Sequence, residues 1–193
     1  IAQACVVEGR EFNITGSIGM ANYPQHGSQS VLITHATIAT RASKGSGGAT
    51  YSVIDPRMVD DVRDQAELLN DLRLALSRHQ LELYYQPKIH APSAQVTAAE
   101  ALMRWHHPRR GMISPSVFIP MAERSGLIIA LGAWVIDEAC KQARAWRDQG
   151  LRMRVAINLS AHQLRQSKLP AHIAAALAKH QINPDLLTCE ITE

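Results

Sequence analysis

The sequence predicts an α/β fold, and three observations carry that prediction. Four short apolar or alternating runs read as strands, at 81–89, 95–105, 153–160 and 186–192. Stretches with apolar residues at helical spacing separate the later ones. Hydrophobic residues make up 46% of the 193 residues, enough for a real core and too many for wholesale disorder. Strands alternating with helices imply parallel pairing through crossovers.

Each element has its own signal. Residues 1–54 read as one unit. "FNITGSIGMANYP" alternates and is rich in Gly, a strand running into a turn. "SVLITHATIATRASK" places Val31, Leu32, His35, Ile38 and Ala39 near helical spacing and stops at the breaker "GSGG". "ATYSVID" reads as a short strand, and Asp55-Pro56 marks a boundary. Residues 58–79 form an amphipathic helix with Val62, Ala66, Leu69, Leu72 and Leu76 on one face, suited to bridge two domains. Ser114-Pro115 is a cap and first-turn pair for a helix reaching Arg124. Leu131 to Gln149 is a long helix closed by Gly150, and an Ala-rich helix runs from Pro170 to His180. No internal repeat is present.

Composition excludes several function classes. The net charge of +3 is spread along the chain without a Lys/Arg block or a basic-aromatic stripe, which speaks against binding a nucleic acid polymer. Cys5, Cys140 and Cys189 have no paired spacing; they fit a reducing compartment and no zinc knuckle. No apolar run reaches membrane-spanning length. The chain begins at Ile1 and stops at Glu193 directly after an apolar run, which reads as a piece of a longer protein. A cytoplasmic location is expected, with a membrane anchor elsewhere in the parent left open.

The stretch "TAAEALMRWHHP" raises a physical question. Glu100 sits in a run otherwise ready for burial, and a buried carboxylate needs a metal, a cation or dense hydrogen bonding. Strand parity suggests an answer. Side chains alternate between faces, so Glu100, Leu102 and Arg104 share one face of their strand. Asn158 shares a face with Ala156 and Ser160, and Glu190 with Thr188 and Thr192. Three strands thus each offer an oxygen ligand near the C-terminal strand end, where parallel α/β folds carry their chemistry. Two carboxylates and an amide are hard ligands that suit Mg²⁺ or Mn²⁺. Arg104 is placed to grip a phosphate, and metal plus arginine suggests phosphoester chemistry. A lone Glu or Asn at a strand end is more often solvated or hydrogen-bonded than a ligand. Three in register leave both readings open.

Quoted together, the motifs resemble a known family. "AAEALMRWHHPRRGMISPSVFIPMAERSGLI" is similar to the signature of EAL-type phosphodiesterases, which hydrolyse cyclic di-GMP, and Glu100-Ala101-Leu102 is the naming tripeptide. "YYQPKI", "WVIDEACKQARAW", "VAINLSAHQL" and "LLTCEITE" follow the family order, so the resemblance covers about residues 65–193. It implies a TIM-type (β/α) barrel with an antiparallel first strand, present only in part. It implies Glu100, Asn158 and Glu190 as metal ligands, Gln86, Leu102 and Arg104 as substrate contacts, and Glu193 as a glutamate that steadies a catalytic loop. The implied reaction opens cyclic di-GMP to linear pGpG with Mg²⁺ or Mn²⁺. The family's Asp-Asp pair, lysine and later carboxylates do not occur in these residues, so the resemblance implies an active parent and an inactive piece. The alternatives are a receptor that binds cyclic di-GMP without turnover and a regulatory module whose barrel serves docking.

Residues 1–56 resemble the closing part of a GGDEF-type diguanylate cyclase domain, degraded at Ala36-Thr37 and Thr40-Arg41, with Lys44 at the position of a family lysine near nucleotide phosphates. The expected organisation is a GGDEF-like end at 1–56, a linking helix at 57–80 and the first half of an EAL barrel at 81–193. Whether the parent is a dimer stays open. His106-His107-Pro108 is expected to shape a loop, Trp134 and Trp146 to pack helices on strands, Arg109-Arg110 to form a solvated turn, and Cys189 to pack against helices.

Overall fold

The structure, a computed structural model, describes residues 2–191, with side chains from residue 4 onward. The chain divides into two compact units that part between Leu68 and Leu69, inside a helix.

The N-terminal unit opens with a hairpin of β1 (Ala2–Val7) and β2 (Arg10–Thr15). Its turn is Glu8-Gly9, both at positive φ (49° and 76°), the left-handed pair that a two-residue hairpin turn favours. β3 (Ile18–Met20) then pairs in parallel with β4 (Tyr51–Val53), and α1 (Gln29–Gly45) makes the crossover. The run expected as one strand is therefore two, in separate sheets. A Cβ on Gly19 would run into the Ala36 carbonyl and Thr40 of α1, so this glycine lets the helix lie directly on the strand. The core is small: Ile38, Ala39 and Ile54, with Ala21, Met58 and Val59 against them. α2 (Pro56–Ala75) starts where the Asp55 carboxylate accepts from the Arg57 backbone N–H at 2.8 Å. It ends a turn before the expected residue 79, and residues 76–79 form turns.

The C-terminal unit is built on one sheet. β5 (Leu81–His90), β6 (Gln95–His107), β8 (Arg154–Leu159) and β9 (Leu187–Ile191) lie in that order, and β7 (Gly111–Ile113) pairs with the far end of β6. β6, β8 and β9 are parallel, as the alternation of strands and helices predicts. β5 is antiparallel to β6 because only a four-residue turn joins them, too short for a crossover. This agrees with the antiparallel first strand that the resemblance implies. β6 is longer than expected because its two halves pair with different partners, β8 near Glu100 and β7 near Trp105.

Helices cover one face of this sheet. α3 (Pro115–Ser125) is capped by the Ser114 hydroxyl, which accepts from the Ser116 N–H, and ends at Gly126 in the left-handed region (φ 77°). α4 (Ile128–Asp148) begins a turn earlier than its expected start at Leu131. α5 (Ala161–Leu164) is a single turn, and α6 (Leu169–His180) leads through a 3-10 turn (Pro184–Leu186) into β9. The core joins Val155, Ile157 and Leu159 of β8 to Val135, Ile136, Ala139 and Cys140 of α4. Those strand residues share one face by parity, so the opposite face is left for polar groups. Trp105 and Phe118 are fully buried and meet edge to face, with ring centroids 5.7 Å apart.

Candidate functional site

Register decides what meets on the polar face. Directly opposed residues share a face, and Gln86 lies opposite Glu100, Tyr84 opposite Leu102, and Lys88 opposite Ala98. Across the parallel pairs, Glu100 is level with Ala156, and Asn158 is level with Glu190. Gln86, Glu100, Leu102, Arg104, Asn158 and Glu190 therefore lie on one face. Glu100 sits in the middle of β6, not at its end, because the strand continues to His107.

The question raised by Glu100 has a structural answer. The Asn158 amide donates to Glu100 Oε1 at 2.8 Å. Lys88 Nζ lies 3.7 Å from Glu100 Oε2 and donates to Glu190 Oε1. One ammonium thus bridges two carboxylates whose strands are separated by β8. The hydrogen bond to Glu190 is the main cause of an upward shift of the Lys88 pKa; partial desolvation opposes it, and the charges of both glutamates add to it. Sequence reasoning passed over Lys88. The signal was there: it follows Gln86 by two residues in "YYQPKI", and a period of two keeps it on the same strand face.

The donor set fits a divalent cation. Glu100, Asn158 and Glu190 supply only oxygen donors on this face, the chemistry that Mg²⁺ and Mn²⁺ take. The Lys88 ammonium between the two glutamates is an independent sign that the gap attracts positive charge. No cluster of three or more His, Cys, Asp or Glu suited to a metal occurs among the described residues; this triad reaches three donors through an amide.

Beside the triad is a cavity of about 240 Å³, lined by Leu102, Arg104, Glu123, Asn158, Ser160 and Gln163 among others. Gln86, Glu100 and Glu190 do not line it. The Arg104 guanidinium donates to the Met103 carbonyl at 2.9 Å and lies 5.4 Å from the Tyr84 ring centroid, a cation–π contact that orients it. The cavity floor is held by a reciprocal cap. Ser160 Oγ accepts from the Gln163 N–H, and Gln163 Oε1 accepts from the Ser160 N–H at 3.0 Å. Gln163 is buried against Gly132 of α4, where a Cβ would overlap its amide. Glu193 lies outside the described residues.

The bland expectations divide. His107 is buried and structural: Nε2 pairs with Asp71 Oδ2 at 3.0 Å, and Nδ1 accepts from the Arg109 and Arg110 N–H groups. It ends a strand and does not sit in a loop. Its hydrogen bond is the first cause that holds the Asp71 carboxyl below the usual range; desolvation opposes it, and Arg109 adds to it. Trp134 and Trp146 pack on the core as expected, Trp146 edge-on to Tyr85 at 5.0 Å. Cys189 differs from expectation: it is exposed.

Comparison with known proteins bears on this geometry. The family model described as EAL domain matches residues 69–193. The bifunctional diguanylate cyclase/cyclic di-GMP phosphodiesterase MucR of Pseudomonas aeruginosa is 41% identical over the whole of this chain and 28% of its own length. The cyclic di-GMP phosphodiesterase PdeR of Escherichia coli is 40% identical over 92% of this chain and 27% of its own. A solved structure of the PaMucR phosphodiesterase in complex with c-di-GMP superposes with a TM-score of 0.64 at 48% identity, covering 66% of this chain and 52% of that one. The chain thus spans about a quarter of the length of these curated relatives.

Proposed function

The chain belongs to the EAL domain family, and from that premise we propose that it forms part of a cyclic di-GMP phosphodiesterase that opens the cyclic dinucleotide to linear pGpG. The observation that carries this reading is the convergence of Glu100, Asn158 and Glu190 on one sheet face beside a cavity lined by Arg104. The names of MucR and PdeR support it.

In this reading Glu100, Asn158 and Glu190 hold Mg²⁺ or Mn²⁺. When bound, the ion supplies Lewis-acid charge at the phosphoryl group and acidifies a water. Arg104 pairs with a phosphate of the dinucleotide, and the ring of Tyr84 keeps its guanidinium in place. Leu102 and Gln86 meet the same substrate. Glu193 is assigned the family's role of steadying a catalytic loop. The sheet of β5 to β9 is read as one wall of a TIM-type barrel with β5 as its antiparallel strand. Turnover is assigned to a chain that also carries the family's further carboxylate strands.

Residues 1–56 are read as the end of a GGDEF-like domain and α2 as the link to the barrel. MucR, whose name pairs a cyclase with a phosphodiesterase, aligns over the whole chain and supports this. A cytoplasmic location belongs to the same proposal. Among the described residues, no helix is long and apolar enough to cross a membrane.

The test is chromatographic hydrolysis of cyclic di-GMP with Mn²⁺, for this chain and for a version extended through further strands. The extended version is expected to turn over, and Glu100→Gln to lower its rate by at least about 100-fold. Binding without turnover would favour a receptor. Equal rates for Glu100→Gln and the unaltered protein would remove Glu100 from the site.

A further inference from the structure

We infer that Lys88 is a built-in counter-ion that competes with the divalent cation for the gap between Glu100 and Glu190, and so sets how tightly the site takes metal. The inference rests on the metal reading above and adds a residue to it.

The argument is one of space and charge. Lys88 Nζ donates to Glu190 and lies 3.7 Å from Glu100. An ion held by both carboxylates at about 2.0–2.1 Å would need that same gap. Ammonium and ion cannot both fill it. Two carboxylates carry two negative charges, and Lys88 offsets one, so an incoming divalent ion meets a site already half neutralised and partly blocked. Lys88 has somewhere to go: its side chain is about a third exposed (37%), on a long flexible stem near the end of β5. The glutamates are less free, since Asn158 fixes Glu100 from the neighbouring strand.

The same contacts explain how the two glutamates stay close before metal arrives. They come from β6 and β9, and nothing in backbone pairing links these strands directly. Lys88 on β5 ties both to a third strand. It is therefore a positioning residue, and its effect reaches the reaction through the metal ligands.

Mn²⁺ binding, followed by calorimetry and by loss of the free-ion electron paramagnetic resonance signal, tests this on the full chain and on Lys88→Met, Lys88→Arg and Glu190→Gln. Lys88→Met is expected to bind Mn²⁺ at least about tenfold more tightly, since a like charge leaves the site. It should also melt lower in chelator and gain more from Mn²⁺. Lys88→Arg, which keeps the charge, should stay near the unaltered chain. Glu190→Gln should bind more weakly.

Unchanged or weaker binding by Lys88→Met, with Glu190→Gln still defective, would overturn the role of Lys88 and leave the metal reading intact. No Mn²⁺ binding by any of the four would sink both. A measurement on the unaltered chain covers the case in which Lys88→Met does not fold. Acylation of Lys88, followed by mass spectrometry, should speed up when Mg²⁺ displaces the amine from Glu190. A labelling rate indifferent to Mg²⁺ would refute the competition.

Discussion

The two units use the same local grammar and differ in what they bury. In the N-terminal unit the two-stranded parallel pair packs on one main helix, the hairpin is a separate two-stranded sheet, and the buried cluster is three residues, Ile38, Ala39 and Ile54. Every residue of β2 is exposed. In the C-terminal unit a five-stranded sheet meets α3, α4 and α6, and Trp105, Phe118, Ile136, Val155 and Ile157 are almost wholly buried. The difference teaches why the polar face of the second sheet can hold a site. A rigid, fully packed underside fixes the strands, and fixed strands hold Glu100, Asn158 and Glu190 in register. The first sheets have no such underside.

The sharpest way to break this comparison is to empty each core. Trp105→Ala should cost about 3–5 kcal/mol, and Ile38→Ala about 2 kcal/mol, the low end for such a truncation, because a small core relaxes more easily. Denaturant melts combined with hydrogen exchange resolved by unit would measure both. Equal costs would mean the N-terminal unit is better packed than its burial shows.

A smaller effect tests the cavity floor. Gly132→Ala improves helix propensity by about 1 kcal/mol yet forces the Gln163 amide out of its reciprocal cap with Ser160. Overpacking of this kind costs about 1–3 kcal/mol, so a net loss of thermal stability is expected. A gain would show that Gln163 moves aside freely.

The smallest effect is a pH dependence confined to the C-terminal unit. Asp71 has its pKa lowered by His107, so the unfolded chain takes up the proton more readily than the folded one. The resulting stability is fully present above about pH 4, the ordinary Asp value, and is lost as pH falls through the lower folded value. Melts of the unaltered chain and of Asp71→Asn should differ most near neutrality and converge in acid. A constant gap down to the most acid sample would contradict the shift.

Much of this architecture was legible in local pattern. Apolar or alternating runs marked β5, β6, β8 and β9 to within two residues, because a strand that packs on a core needs apolar side chains along its own short length. Ser114-Pro115 marked the start of α3, because a cap acts through its own next residues. Short elements escaped: β7 has three residues and α5 four, too few for a period to show. The β1–β2 hairpin was also passed over, though Glu8-Gly9 between two alternating runs was a usable signal.

By itself the sequence determined which side chains share a face, since parity within a strand and spacing within a helix are properties of neighbours along the chain. Tertiary structure decided which faces meet. Only the pairing of β5 with β6, of β6 with β8 and of β8 with β9 puts Lys88 between Glu100 and Glu190, residues 102 positions apart in the case of Lys88 and Glu190. Register is set by the packing of whole strands against the helices beneath them, and no local pattern around Lys88 contains that information.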